Sequence, residues 1–67
     1  MNREAVIREL ENQLHDLTRL HIQHHLENTE HFQKHKASIT RYVRENEIDV
    51  RRELSPASAN QYRRYFP

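Results

Sequence analysis

The chain of 67 residues has no cysteine and no glycine, and only two prolines. Without cysteine there is no disulfide to staple a small domain, and nothing points to an oxidising compartment. Glycine is the residue that most readily takes a positive φ at tight turns and helix ends, so its absence predicts few sharp turns. It also removes the glycine-rich loop that a bound nucleotide phosphate needs. No apolar run approaches the roughly 18 residues of a membrane span, and Met1 to Leu10 lacks the apolar core of a signal peptide. Together these absences predict a soluble, cytoplasmic protein that does not enter a membrane.

Core-forming material is also scarce. Apolar residues make up 34% of the chain and charged ones 31%. A chain of about 60 residues buries only about 60% of the surface exposed when unfolded, so a domain of this size is marginal unless something assists it. With disulfides excluded, the remaining aids are a metal and association with another molecule. The composition borders on that of disordered chains, but the apolar residues keep a helical period, which argues for an all-α fold instead.

Ile7, Leu10, Leu14 and Leu17 step by three, four and three, the a/d spacing of a heptad, and Val6 and Leu20 widen that stripe. Asn2 is placed to cap the helix, with acidic Glu4 in its first turn. In the same frame the next a and d positions are His21, His24, Asn28, His31 and His35, so the seam turns polar. A second apolar series follows, Phe32, Ile39, Val43 and Val50, offset by one residue from the first.

Two architectures fit: a single helix from about residue 3 to about residue 45 with a drifting seam, or a helical hairpin broken near Asn28-Thr29-Glu30. No proline or glycine enforces a break, which favours the continuous helix, coiled-coil-like and roughly 60 Å long. Asn46-Glu47 is a weak punctuation. Ser55-Pro56 is a stronger one, pairing an N-cap residue with proline at the first helical position, and it predicts a short helix over residues 56–65. The chain thus divides into a self-associating part, 1–54, and a short C-terminal helix, 55–67.

A continuous helix could not cover its own leucines. Ile7, Leu10, Leu14 and Leu17 are therefore expected to mediate self-association, a homodimer being the simplest form. On that expectation Leu14→Glu abolishes the oligomer and much of the helical signal with it.

Charge is uneven along the chain. Residues 1–33 hold three arginines against six carboxylates, and residues 34–67 hold eight cations against four carboxylates. The basic half places Arg41, Arg44, Arg51, Arg52, Arg63 and Arg64 among Tyr42, Tyr62 and Tyr65. Such a set can dock an acidic protein surface, or grip phosphates while its rings stack on bases. Acidic residues are mixed in and the pI is only about 8.2, below the value above about 9 usual for nucleic-acid modules. A protein partner is therefore favoured, with nucleic acid as the alternative. The plainest account is a solvated, salt-bridged flank.

Six histidines are the least ordinary feature. His21 and His25, and likewise His31 and His35, are spaced i,i+4, so each pair can project from one helical face and share a metal, zinc being the natural candidate. Neither pair has the glutamate directly after its first histidine that a hydrolytic zinc helix uses. A seam of stacked imidazoles would alternatively weaken as the rings become charged near pH 6.5, making assembly pH-dependent. Ordinary solvated histidines, some paired with glutamates, are the favoured account of the pattern, and no cofactor is required. Serine and threonine are few, and no strand-turn-helix setting presents one as a nucleophile. The sequence therefore predicts a small non-enzymatic regulator or adaptor.

Overall fold

A computed structural model describes residues 2–24 and 30–67, with the backbone alone at 23 and 24. Four helices follow one another: α1 (Arg3–His24), α2 (Glu30–Glu45), α3 (Val50–Glu53) and α4 (Pro56–Tyr65). Among the described residues there is no strand, and no helix is long and apolar enough to cross a membrane.

α1, α3 and α4 each begin on a side chain that accepts from a free amide of the first turn. The Glu4 amide donates to Asn2 Oδ1 at 3.0 Å, the capping expected at α1. Asp49 Oδ1 accepts from the amides of Arg51 (3.1 Å) and Arg52 (3.3 Å) to start α3. Ser55 Oγ accepts from the Ser58 amide at 3.3 Å and Pro56 opens α4, as the Ser55-Pro56 pair predicts.

The end of α2 departs from expectation in an informative way. The Ile48 amide donates to the Val43 carbonyl at 3.1 Å and the Glu47 amide to the Arg44 carbonyl at 3.2 Å. This is the pairing of a Schellman motif, whose C′ residue lies in the left-handed region. Glu47 occupies that place with φ 49°, where glycine is the ordinary choice. A side chain held in that region costs about 1–2 kcal/mol, partly offset by the extra freedom glycine has when unfolded. Glu47→Gly should therefore stabilise the fold by about 0.5–1 kcal/mol, read as a raised thermal midpoint. An unchanged or lowered midpoint would show that the turn carries no such strain. The lack of glycine does not prevent a sharp turn here; it makes the turn more costly.

The continuous helix of residues 3–45 is not formed. α1 stops at His24, α2 starts at Glu30, and the two lie antiparallel. Tyr42 Oη donates to the Val6 carbonyl at 3.1 Å, His35 Nε2 donates to the Gln13 carbonyl at 3.2 Å, and the His21 and Phe32 rings meet edge to face at 6.4 Å. The longest dimension of the molecule, 34 Å, is close to the length of α1 alone at 1.5 Å per residue. Asn28 and Thr29, where the break was anticipated, lie outside the described residues. The one-residue offset between the two apolar series is not a drifting seam but the separate face of a second helix. That face consists of Phe32, His35, Lys36, Ile39, Tyr42 and Val43, all at least half-buried among otherwise exposed neighbours.

α4 covers α1 from the other side and runs in the same direction. Ser55, at its start, donates from both its amide and its hydroxyl to Glu11 Oε2 at 3.3 Å. At its end, Tyr65 Oη lies 2.7 Å from His21 Nδ1. Between these flanking helices Leu10, Leu14 and Leu17 are completely buried, Val6 is buried and Ile7 is half-buried. The ridge Ile7, Leu10, Leu14, Leu17 was expected to need a second molecule, but it is covered within one chain. Burial inside the same chain avoids the translational and rotational cost of association, estimated at about 4–15 kcal/mol, against a loop-closure cost that grows only slowly with length.

One polar knot fixes the corner where α2, α3 and the start of α1 meet. The Arg3 guanidinium grips both oxygens of Glu53, at 2.6 and 2.7 Å, and donates to the carbonyls of Asn46 (2.7 Å) and Glu47 (3.1 Å). Glu53 Oε2 also accepts from the Asp49 amide at 2.7 Å. The hydrogen bond from Arg3, with that from the Asp49 amide, lowers the Glu53 carboxyl from its ordinary 4.5 to about 2. A group bound more tightly as its anion contributes stability in full above its ordinary value, and that contribution vanishes as pH falls through about 2. Thermal midpoints should therefore fall between about pH 5 and 2, and Glu53→Gln should flatten that part of the profile. Parallel acid limbs in the two proteins would show that the knot adds nothing.

Candidate functional site

The short α3 and the longer α4 meet at the Leu54-Ser55 corner, where Asp49 and Ser55 cap successive helices in different directions. The wedge between them is a groove of about 850 Å³, open to solvent. Its floor is apolar: Leu54 is buried, and Val50, Ala59, Tyr62 and Phe66 are half-buried. Tyr62 and Phe66 stack with centroids 4.7 Å apart and planes 20° from parallel, giving the α4 wall a flat aromatic surface.

The charged side chains of the rim are both cationic. Arg51 stands on the α3 wall and Arg63 on the α4 wall, both exposed. Arg63 donates to the neutral Asn60 amide oxygen at 2.9 Å. Neither arginine has an ion pair within 4 Å among the described residues. Of the ten aspartate and glutamate side chains in the chain, none lines the groove.

Three of the nine basic and tyrosine residues singled out in the sequence, Arg51, Tyr62 and Arg63, come together here, while the Tyr42 hydroxyl is bonded to Val6. The others are used differently. Arg52 Nε pairs with Asp49 Oδ2 at 3.7 Å. Arg64 lies over the Tyr65 ring at 6.0 Å. Arg41 and Arg44 are exposed on α2, away from the groove lining. Tyr65 is buried, its ring edge to face with His21 (5.5 Å) and Phe32 (6.0 Å), so it belongs to the core.

The histidines are dispersed to separate tasks. His21 faces Tyr65, His35 faces the backbone of Gln13, and His31 is exposed. His25, and with it the His21/His25 pair, lies outside the described residues. Among the described residues no three His, Cys, Asp or Glu side chains converge in the manner of a metal cage.

The groove's apolar residues Val50, Leu54, Ala59 and Phe66 were not among the site residues suggested by sequence. Helical periodicity marks Val50 and Leu54 as apolar positions, and Ser55-Pro56 marks the corner. What linear spacing omits is that side chains of α3 and α4 line one hollow together. A second hollow is lined by Ile7 with three acids, Glu4, Glu11 and Glu53, and two bases, Arg3 and Arg8, and Arg3 and Glu53 are paired with each other.

Compared with known proteins, the chain matches no family model, no characterised protein and no solved structure.

Proposed function

We propose that this protein is a small non-enzymatic adaptor or regulator, a helical hairpin that displays a docking corner near its C-terminus and engages a protein partner there. The observation that carries the proposal is the groove between α3 and α4, which combines an apolar floor with two arginines that have no ion pair among the described residues, and with no acidic side chain in its lining. Uncompensated charge around an apolar patch is the usual composition of a recognition surface.

A protein partner is favoured over nucleic acid because acidic residues are mixed into the basic half and the pI is only about 8.2, below the value above about 9 usual for nucleic-acid modules. Base stacking requires rings with a free face. Tyr65 is buried and Tyr42 packs on the core, so Tyr62 alone of the three tyrosines lines the groove. The ridge Ile7, Leu10, Leu14, Leu17 serves the hairpin's own core in this proposal, and pairing of two copies through it would require α1 to leave α2 and α4.

Selection of random peptides of about twelve residues on the immobilised full chain tests the proposal. Recovered peptides should bind the native protein and lose at least about tenfold in affinity toward Arg51→Glu/Arg63→Glu, two rim charges being reversed at once. Peptides that bind both proteins equally, or a selection that recovers none, would overturn it. So would a single-stranded oligonucleotide that binds more tightly than any peptide.

A further inference from the structure

The chemistry of the groove goes further than the existence of a partner. Resting on the docking role just proposed, we infer that the occupant is an acidic segment with an apolar anchor: one bulky apolar side chain seated between Leu54, Ala59 and the Tyr62–Phe66 stack, with a carboxylate on each side, one for Arg51 and one for Arg63.

Three observations define that occupant. The floor offers no hydrogen-bonding side chain other than the Tyr62 hydroxyl, because Val50, Leu54, Ala59 and Phe66 carry none. A polar side chain placed there would lose water without replacement, whereas an apolar one gains about 25 cal/mol per Å² covered. Ala59, the smallest side chain on the α4 wall, leaves the depth that a Leu- or Phe-sized group would fill.

The second observation is the placing of the arginines. They come from different helices, Arg51 from α3 and Arg63 from α4, so a chain crossing the groove meets one on each wall. A guanidinium binds a carboxylate through two parallel N–H donors, which fixes orientation as well as sign. One central anchor with acids on either side satisfies both walls. A single terminal acid satisfies only one.

The third is the asymmetry of this molecule's own charge. Lys36 approaches the Phe66 ring to 5.3 Å from α2, and Arg64 follows Arg63 on α4. Cations therefore continue the field past the edge of the groove, while the nearest acid on α3, Glu53, is held by Arg3. A basic peptide is repelled along the whole approach, and an acidic one is steered in.

The groove is small, so the complex is expected to be transient, its affinity set by the anchor and its association rate by the rim. The test uses one peptide recovered from the selection described above, synthesised in three forms and titrated into the isotope-labelled full chain. The native peptide should shift the backbone resonances of Val50, Leu54, Ala59 and Phe66. Replacing its apolar residue by Ser should weaken binding about tenfold or more, as burial of a Leu-sized group implies. Replacing its acids by Gln should weaken binding about as much and remove most of its salt dependence.

Ala59→Gln, which fills the floor without altering charge, should block the native peptide while leaving the helical signal intact. A serine-substituted peptide that binds as well as its parent would overturn the anchor and leave the arginine-dependent docking standing. Native-strength binding to Ala59→Gln would do the same. Equal binding to Arg51→Glu/Arg63→Glu would overturn the docking role itself. Selected peptides lacking acids would overturn the inference outright.

Discussion

Leu14→Ala should lower the thermal midpoint by more than about 10 °C. Leu14 has no exposed surface and lies at the centre of α1, between α2 and α4. Truncating a fully buried leucine costs about 2.7–5 kcal/mol, the transfer of the lost methyl groups plus the cavity left behind. A 67-residue domain has only about 3–10 kcal/mol in all, so one such cavity removes most of the margin.

Leu14→Glu should be worse, because a carboxylate would be stranded among apolar neighbours. The sequence alone attributes that loss to a broken oligomer; the burial of the ridge within one chain attributes it to a broken core. Thermal melts of the native protein at two concentrations separate these causes. The midpoint of a fold stabilised by a second copy rises with concentration, and that of a self-contained hairpin does not. A concentration-dependent midpoint, or a Leu14→Ala protein melting within a few degrees of native, would contradict the arrangement described here.

Phe32→Ala should have the second-largest effect, for a different reason. Phe32 is the first apolar residue of α2, and its ring is where three helices meet: His21 of α1 lies at 6.4 Å and Tyr65 of α4 at 6.0 Å, both edge to face. Removing a buried phenylalanine costs about 3–5 kcal/mol, and for a domain this small each kcal/mol lowers the midpoint by about 4–8 °C. Phe32→Leu keeps most of the apolar volume and loses the ring contacts, each worth about 0.5–1.5 kcal/mol beyond area, so it should fall well short of the alanine loss. A substitution to alanine that moves the midpoint by only a few degrees would mean that the end of α4 does not rest on this ring. Loosening of Tyr65 should also disturb the Tyr62–Phe66 stack one turn back, so the same variant is expected to weaken binding at the groove.

Much of the fold was legible in the order of residues. Asn2, Ser55 and Pro56 mark helix starts because capping depends on chemistry within three or four positions, which spacing alone reveals. The buried face of α2 is likewise visible, since Phe32, Ile39 and Val43 keep a helical period. The direction of the chain after His24 was not. Nothing local distinguishes a helix that continues through a polar stretch from one that reverses, because the energy that decides between them comes from the far side of the molecule. At Glu47 the signal was misleading. Glycine is absent, yet the left-handed turn forms, because burial of Ile48 and the hydrogen bonds to Val43 and Arg44 outweigh its strain.

The candidate site was half legible. Arg51, Tyr62 and Arg63 stand out as charged and aromatic residues in a basic segment, but so do Arg41, Arg44, Arg52, Arg64 and Tyr65. What divides them is that Arg41 and Arg44 lie on α2 away from the groove, Arg52 and Arg64 find a carboxylate and a ring, and Tyr65 is taken by the core. Those choices depend on distances between residues far apart in sequence, and His21 with Tyr65, 44 positions apart, is one case.

The sequence by itself determined that this protein is helical, where its first and last helices begin and which helical faces are apolar, because capping and periodicity act over a single turn. The tertiary structure alone decided that the leucine ridge is covered by the chain's own α2 and α4, and that Arg51 and Arg63 are left unpaired above an apolar groove. Burial and charge compensation are settled by whichever groups arrive next to one another in space, and adjacency in space is what a linear order of residues does not contain.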